Sequence, residues 1–207
     1  MEGPQLDADQ ALARLRDGNR RFADHVISLE ALLSHARREE QARAQLPFAV
    51  ILGCSDSRAP AEFIFDQGLG DLFVIRVAGN IAAPSQIGSI EFAVERFGVR
   101  LVVVLGHSNC GAIHATLEAL DRPEAISPAL HAIVDRIAPA LSVLDHHYHP
   151  DRDRMQDAIR ANVRYTASKL CEDSSYLDEM CRKKGLRIVG ADYSLSTGEV
   201  EFFHPCT

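Results

Sequence analysis

The sequence predicts an α/β fold: a mainly parallel central β-sheet flanked by helices, with N-terminal helical arms and a short antiparallel last strand. Three observations carry this. The continuous apolar runs Phe48–Gly53, Leu72–Ile75 and Leu101–Leu105 are short and uninterrupted, as strands buried on both faces of a parallel sheet are. Segments of helical period lie between and after them, and alternation of the two periods marks the α/β class. Near the end, Ser196-Thr197-Gly198 forms a turn signal before the brief run Glu199–Phe203, which suits a returning strand.

In chain order, Asp9–Val26 places Leu12, Leu15, Phe22 and Val26 at helical spacing and predicts an amphipathic helix. A second helix is expected over Ser28–Ala44, stopped ahead of Pro47 because the residue before a proline is pushed out of the helical region. The first strand follows, then the second and third. Helices are expected over Ser85–Phe97, Gly111–Leu120, Pro128–Leu144, Met155–Cys171 and Ser174–Lys184, and a fourth strand over Leu186–Gly190. No repeat or Gly/Ser/Pro-rich linker interrupts the chain, so residues 1–207 are expected to form one domain, with 1–46 as the helical arms.

Composition limits the function classes. The 207 residues suffice for a real core, and 46% hydrophobic and 25% charged residues are ordinary for a soluble globular protein. A net charge of −7 disfavours binding to a phosphate backbone, so no nucleic acid partner is expected. No apolar run reaches the roughly 18 residues of a membrane span, and the opening Met1-Glu2-Gly3-Pro4 has no basic or apolar signal character. Five cysteines at irregular spacing fit a reducing, cytoplasmic setting with some thiols as metal ligands.

Chemistry concentrates at two strand ends, where α/β sheets bind ligands. Cys54-Ser55-Asp56-Ser57-Arg58 follows the first strand, and Gly106-His107-Ser108-Asn109-Cys110-Gly111 follows the third. If those strands are parallel neighbours, the two turns meet. Cys and His are preferred zinc ligands, and three of them with a water in the fourth position describe a catalytic site. Cys54, His107 and Cys110 would make three. His114, one helical turn beyond Cys110, rivals His107 by spacing, and both cysteines also fit buried free thiols. Asp56 has three readings open: a fourth ligand, an oriented acceptor held by Arg58, or half of a solvated ion pair. Asp145-His146-His147-Tyr148-His149-Pro150 reads as a solvated loop rather than a second metal site, and Cys171 and Cys181 as packing residues.

The two segments together resemble the paired signatures of the beta-class carbonic anhydrases. The resemblance extends to Glu62–Gly70, Arg76-Val77-Ala78-Gly79-Asn80, Gly88–Ala93 and the tail Gly185–Phe203. It implies a zinc enzyme that interconverts carbon dioxide and bicarbonate through a zinc-bound hydroxide, with Cys54, His107 and Cys110 as the ligands. In that family Asp56 would accept a hydrogen bond from the hydroxide and Arg58 would hold Asp56 off the metal. Among plant-like, type I members, Gln45 matches an amide that orients bicarbonate, Phe73 a pocket aromatic, and Gly111 a glycine whose N–H faces the substrate. Phe92 stands where plant members carry a Tyr, and Arg96 where they carry a shuttling His. A second branch binds bicarbonate in a regulatory pocket built on a Trp, an Arg and a Tyr. Arg76 and Tyr193 match two of these, but Ile51 occupies the Trp position, which points to an open site. The resemblance also implies a homodimer or dimer of dimers with pockets shared between subunits. Hydrolysis of carbon disulfide or carbonyl sulfide, and a non-catalytic zinc scaffold, remain alternative functions of such a fold.

Overall fold

The computed structural model describes residues 5–34, 42, 44–122, 126–142, 144 and 154–203. Its centre is a five-stranded sheet of β1 (Ala49–Gly53), β2 (Leu72–Arg76), β3 (Leu101–His107), β4 (Arg187–Tyr193) and β5 (Val200–Phe203), in the order β2-β1-β3-β4-β5. The first four strands are parallel and β5 runs antiparallel to β4. Ala49, Val50, Ile51 and Leu52 are wholly buried, which is why the strand reads as an unbroken apolar run. Each Ile or Leu so buried contributes about 1.5–3 kcal/mol.

The pairing of β1 with β3, from Val50↔Val102 to Gly53↔Leu105, sets their carboxyl ends side by side. β3 and β4 both run longer than the apolar pattern predicts. The β3–β4 ladder continues through Gly106↔Asp192 and His107↔Tyr193, so His107 closes the strand instead of opening the loop. β4 reaches Tyr193 because β5 pairs with Gly190 through Tyr193.

Helix α1 (Ala8–Ala23) begins with a reciprocal cap: Asp7 Oδ1 accepts from Gln10 N at 2.8 Å and Gln10 Oε1 from Asp7 N at 3.1 Å, satisfying two otherwise unpaired donors. Its apolar stripe is covered by its own chain. Leu12 and Leu15 pack with Ile64, Phe65 and Leu105 in one apolar cluster, and Asn19 bonds to Ile64 O, Gly198 O and Val200 N. The first helix is therefore docked on the sheet layer, and the expectation of an arm applies only beyond it. There α2 (Leu29–Ser34) exposes Leu29 and Leu33, as the preceding turn does Val26 and Ile27. Most of the remaining predicted helix, residues 35–41 and 43, lies outside the described residues, as do the 145–150 histidine segment and Cys206.

The remaining helices are α3 (Ala61–Ile64), α4 (Pro84–Phe97), α5 (Gly111–Asp121), α6 (Pro128–Ser142), α7 (Arg154–Glu172) and α8 (Ser175–Lys183), with a 3-10 turn over Ala78–Asn80. The four-residue α3 and the 3-10 turn are too short to leave a periodic signal. Helix α7 lies close over β3 and β4 because glycines face it: a Cβ on Gly106 would come within 2.6 Å of Val163 Cγ2. That close approach carries α7 behind the loaded turns.

Candidate metal centre

Cys54 lies immediately beyond β1, His107 ends β3, and Cys110 caps α5. Their ligand atoms all lie within 4.8 Å of one another, and all three residues are buried. The two sulfurs are 4.0 Å apart; two zinc–sulfur bonds of about 2.3 Å at a tetrahedral angle would set them about 3.8 Å apart. His107 Nδ1 sits 2.9 Å from Ser108 O, a contact that places the ring proton there and leaves the Nε2 lone pair free. That Nε2 is buried without a hydrogen-bond partner. An orphaned imidazole nitrogen beside two thiols is costly as it stands and is satisfied by a metal ion, so the donor set fits zinc.

Proton affinities agree with this chemistry. Cys54's thiol is pulled far below its ordinary value, first by the hydrogen bond from Cys110, with further help from Gly79 N–H and against the cost of burial. Cys110 is pushed up by the same hydrogen bond and by burial.

His114, the rival ligand, is turned away: its ring is exposed and its Nδ1 stands 3.5 Å from Glu118 Oε1. Asp56 is gripped by Arg58 at both oxygens, Nε to Oδ1 at 2.9 Å and a terminal nitrogen to Oδ2 at 2.8 Å, while Arg58 N–H also donates to Oδ1 at 2.9 Å. Arg58 holds the Asp56 carboxyl well below the usual carboxylate range. Asp56 Oδ2 comes to 4.0 Å from His107 Nε2 yet is not part of the mutually close donor group. Among the described residues the group therefore has three protein ligands, with a carboxylate beside it and a fourth position left for a small molecule.

Two features at the end of β2 and just after it support the centre. Arg76, at the end of β2, donates to Cys54 O at 3.0 Å and Asp56 O at 2.5 Å, pinning the Cys54–Arg58 turn. Gly79 N–H points at Cys54 Sγ at 3.4 Å. Gly79 has φ +69°, and a Cβ there would meet Ile137 Cδ1 at 2.6 Å, so both conformation and space require glycine. Asn162 of α7, 1% exposed, donates to Gly79 O at 2.8 Å and fixes the turn that aims this N–H. Asn162→Leu is expected to weaken zinc retention about tenfold, as loss of an outer hydrogen bond at a metal site does. Chelator competition measures it; unchanged retention in a folded variant would leave Asn162 a packing role alone.

Of the other sequence-named positions, Gln45, Phe73 and Phe92 lie outside the apolar cluster of the ligand sulfurs, whereas Gly111 directly follows Cys110 and Tyr193 pairs with His107 in the sheet. Phe73 and Phe92 stack with Phe97 at centroid distances of 6.2, 6.0 and 5.7 Å, and Phe73 packs in the cluster under α4 while the ligand sulfurs belong to another. Phe92 is 48% exposed. Gln45 is exposed. Gly111 opens α5, exposed, with open space where a Cβ would stand. Ile51 is wholly buried and Tyr193 nearly so.

Comparison with known proteins gives the same answer as the geometry. A family model described as carbonic anhydrase matches residues 49–200. The chain is 38% identical over 198 residues to a carbonic anhydrase of Mycolicibacterium smegmatis, covering 96% of this chain and 94% of that one. It is 38% identical over 199 residues to carbonic anhydrase 2 of Mycobacterium tuberculosis, covering 94% and 92%. Among solved structures, the beta-carbonic anhydrase CafA of Aspergillus fumigatus superposes with a TM-score of 0.72 at 26% identity, over 96% of this chain and 91% of that one. One of two tetrameric beta-carbonic anhydrases of Sordaria macrospora superposes with a TM-score of 0.71 at 24% identity, over 90% and 93%.

Proposed function

The chain belongs to the beta-class carbonic anhydrase family, whose reaction is the reversible hydration of carbon dioxide to bicarbonate and a proton at zinc, and we propose that Asp56 and Arg58 are the pair that orients this reaction here. Cys54, His107 and Cys110 would hold the zinc, which when bound would supply an acidified water, its pKa lowered from about 15.7 toward 7. The single observation that carries the residue assignment is the bidentate grip of Arg58 on Asp56 beside the open side of the triad.

The chain's own groups divide the work. Asp56, kept ionised, offers an oxygen as a hydrogen-bond acceptor and so fixes which lone pair of the nucleophile faces the substrate carbon. Arg58 holds that carboxylate at both oxygens and keeps it from joining the ligand set. Arg76 holds the backbone of the same turn. The N–H of Gly111, at the amino end of α5, takes the role of meeting the negative oxygen of bicarbonate, as helix amino ends favour anions. Arg96 replaces the shuttling His of plant members and cannot release a proton near neutrality, so buffer takes the proton. Ile51, packed where the regulatory branch carries Trp, supports a site that stays open.

Gln45, Phe73 and Phe92 complete the substrate pocket across a subunit boundary. The exposed apolar side chains Ile27, Leu29, Leu46, Phe63 and Phe92 support this assembly as a homodimer or a dimer of dimers, and the Sordaria structures are tetrameric. Light scattering at assay concentration is expected to find no active monomer. Stopped-flow hydration of carbon dioxide across pH, with zinc measured on the same sample, tests the activity; full zinc with no hydration but turnover of carbon disulfide or carbonyl sulfide would move the assignment to those substrates. No helix among the described residues is long and apolar enough to cross a membrane.

A further inference from the structure

Outside the metal centre a second pair of thiols lies in contact. Cys171 Sγ and Cys181 Sγ are 3.9 Å apart, as near to each other as the two zinc-binding sulfurs are at 4.0 Å. The two pairs differ in what surrounds them. Cys54 and Cys110 have His107 as a third donor, and theirs is the one donor group of this size among the described residues. Cys171 and Cys181 have no such third ligand, so a metal does not explain their closeness. Both are half-buried, not sealed, and both pack at the edge of the apolar cluster beneath α4, α7 and α8, a different cluster from that of the zinc ligands.

Local structure holds the pair in register. Cys171 sits in the last turn of α7 and Cys181 in the last turn of α8. The reversal between them is fixed by Ser174, whose Oγ accepts from Leu177 N at 3.0 Å and donates to Glu91 Oε1 at 2.6 Å. A disulfide needs sulfurs about 2.05 Å apart, so less than about 2 Å of approach remains between the two.

We propose that Cys171 and Cys181 form a redox-active dithiol site that reacts with hydroperoxides and closes to a reversible disulfide. In the first step the Cys171 thiolate attacks one peroxide oxygen; the S–O bond forms, the O–O bond breaks, and hydroxide leaves and is protonated. In the second, the Cys181 sulfur attacks the sulfenic sulfur of Cys171; the S–S bond forms, and the S–O bond breaks, releasing water that carries away the Cys181 proton. Two thiols lose two electrons, and the peroxide bond accepts both. A dithiol reductant returns the pair by exchange. The contact between the two sulfurs favours a single thiolate in the pair, drawing the Cys171 thiol down chiefly through the hydrogen bond with Cys181 and against burial and the carboxylates of Asp178 and Glu172; a thiolate, not a thiol, is the nucleophile. In the zinc-loaded enzyme Cys54 and Cys110 spend their lone pairs on the metal, which leaves the second pair the more reactive one.

The sequence makes the test direct, since Leu170–Arg182 contains both cysteines and no internal Lys or Arg. The zinc-loaded chain is treated with hydrogen peroxide, alkylated, digested with trypsin and weighed. The expected result is a Leu170–Arg182 peptide about two mass units lighter than its reduced form and unalkylated, restored by dithiothreitol, with zinc content unchanged. In Cys181→Ser, Cys171 loses its partner and should accumulate sulfenic acid that a 1,3-dione captures. The proposal is overturned if both cysteines still alkylate fully after peroxide, if Cys54 and Cys110 oxidise first with release of zinc, if Cys171 bonds to Cys206 instead, or if Cys181→Ser traps no sulfenic acid.

Discussion

Cys110→Ala is expected to strip the purified chain of zinc and, with it, of carbon dioxide hydration. The triad offers no spare donor. Asp56 is the nearest candidate, and it is committed to Arg58 at both oxygens, while the His114 ring is out in solvent beside Glu118. Removing Cys110 leaves one sulfur and one imidazole. A structural zinc site is worth about 10–16 kcal/mol with its full ligand set, so loss of one thiolate from three protein ligands should cost several kcal/mol, or at least about a thousandfold in affinity at 1.4 kcal/mol per decade. Metal analysis after dialysis should find below about a tenth of an equivalent. Circular dichroism should stay native, because Cys→Ala at this buried position removes a single sulfur from a sheet and helix frame built on other contacts. Full zinc occupancy in the variant would take Cys110 out of the ligand set.

Arg58→Ala is expected to lower kcat/KM about a hundredfold while zinc stays bound. The magnitude is that of removing one oriented electrostatic partner from an active site. Arg58 is exposed over more than half its side chain, so its loss should change stability by no more than about 0.5 kcal/mol, as for surface substitutions generally. The effect on rate comes through Asp56, which loses two side-chain donors at once. Its carboxyl then rises toward the ordinary range, and the freed group can swing to the metal. Arg58→Lys should recover only part of the loss, since an ammonium is a point charge and cannot bind both oxygens in a fork. Rates, zinc content and thermal midpoint measured together separate this from unfolding; a near-native rate in Arg58→Ala would remove the pair from the reaction.

The frame of the site was readable because its signals are local. Burial on both faces makes β1 and β3 unbroken apolar runs, and strand ends are where α/β sheets bind ligands, so Cys54 and the His107–Cys110 segment could be paired before any coordinates. The choice of His107 over His114 was different: the spacing leaves both open, and the resemblance chose. The structure shows the physical reason, since Nδ1 of His107 is occupied by Ser108 O and Nε2 is aimed inward. Arg76, Gly79 and Asn162 were not legible as supports. Arg76 and Asn162 act on backbone carbonyls distant in sequence, Asn162 on Gly79 across 83 positions, and Gly79 acts through its own N–H on a sulfur 25 positions away; bonds between remote groups leave no periodic trace. The docking of α1 was missed for a related reason. Its stripe shows that something covers it, but only tertiary contacts such as Asn19 to Gly198 O, 179 residues away, show that the cover is its own sheet.

The position of the ligands also bears on how the molecule comes apart. Cys54 and Cys110 are 56 residues apart in the chain and sit on the ends of two strands that neighbour each other at the middle of the sheet. An ion shared between them closes a loop containing β2, α4 and β3, and the sheet cannot open between β1 and β3 without releasing it. Separation of the central strands therefore carries metal loss with it, and the bound ion adds to the stability of a sheet that other contacts build. By mass action the folded state gains RT ln(1 + [Zn]/Kd), about 4.1 kcal/mol when free zinc is a thousand times Kd. The melting temperature of this chain is then a reading of free zinc in the sample as well as of the polypeptide, and a chelator in the buffer should lower it.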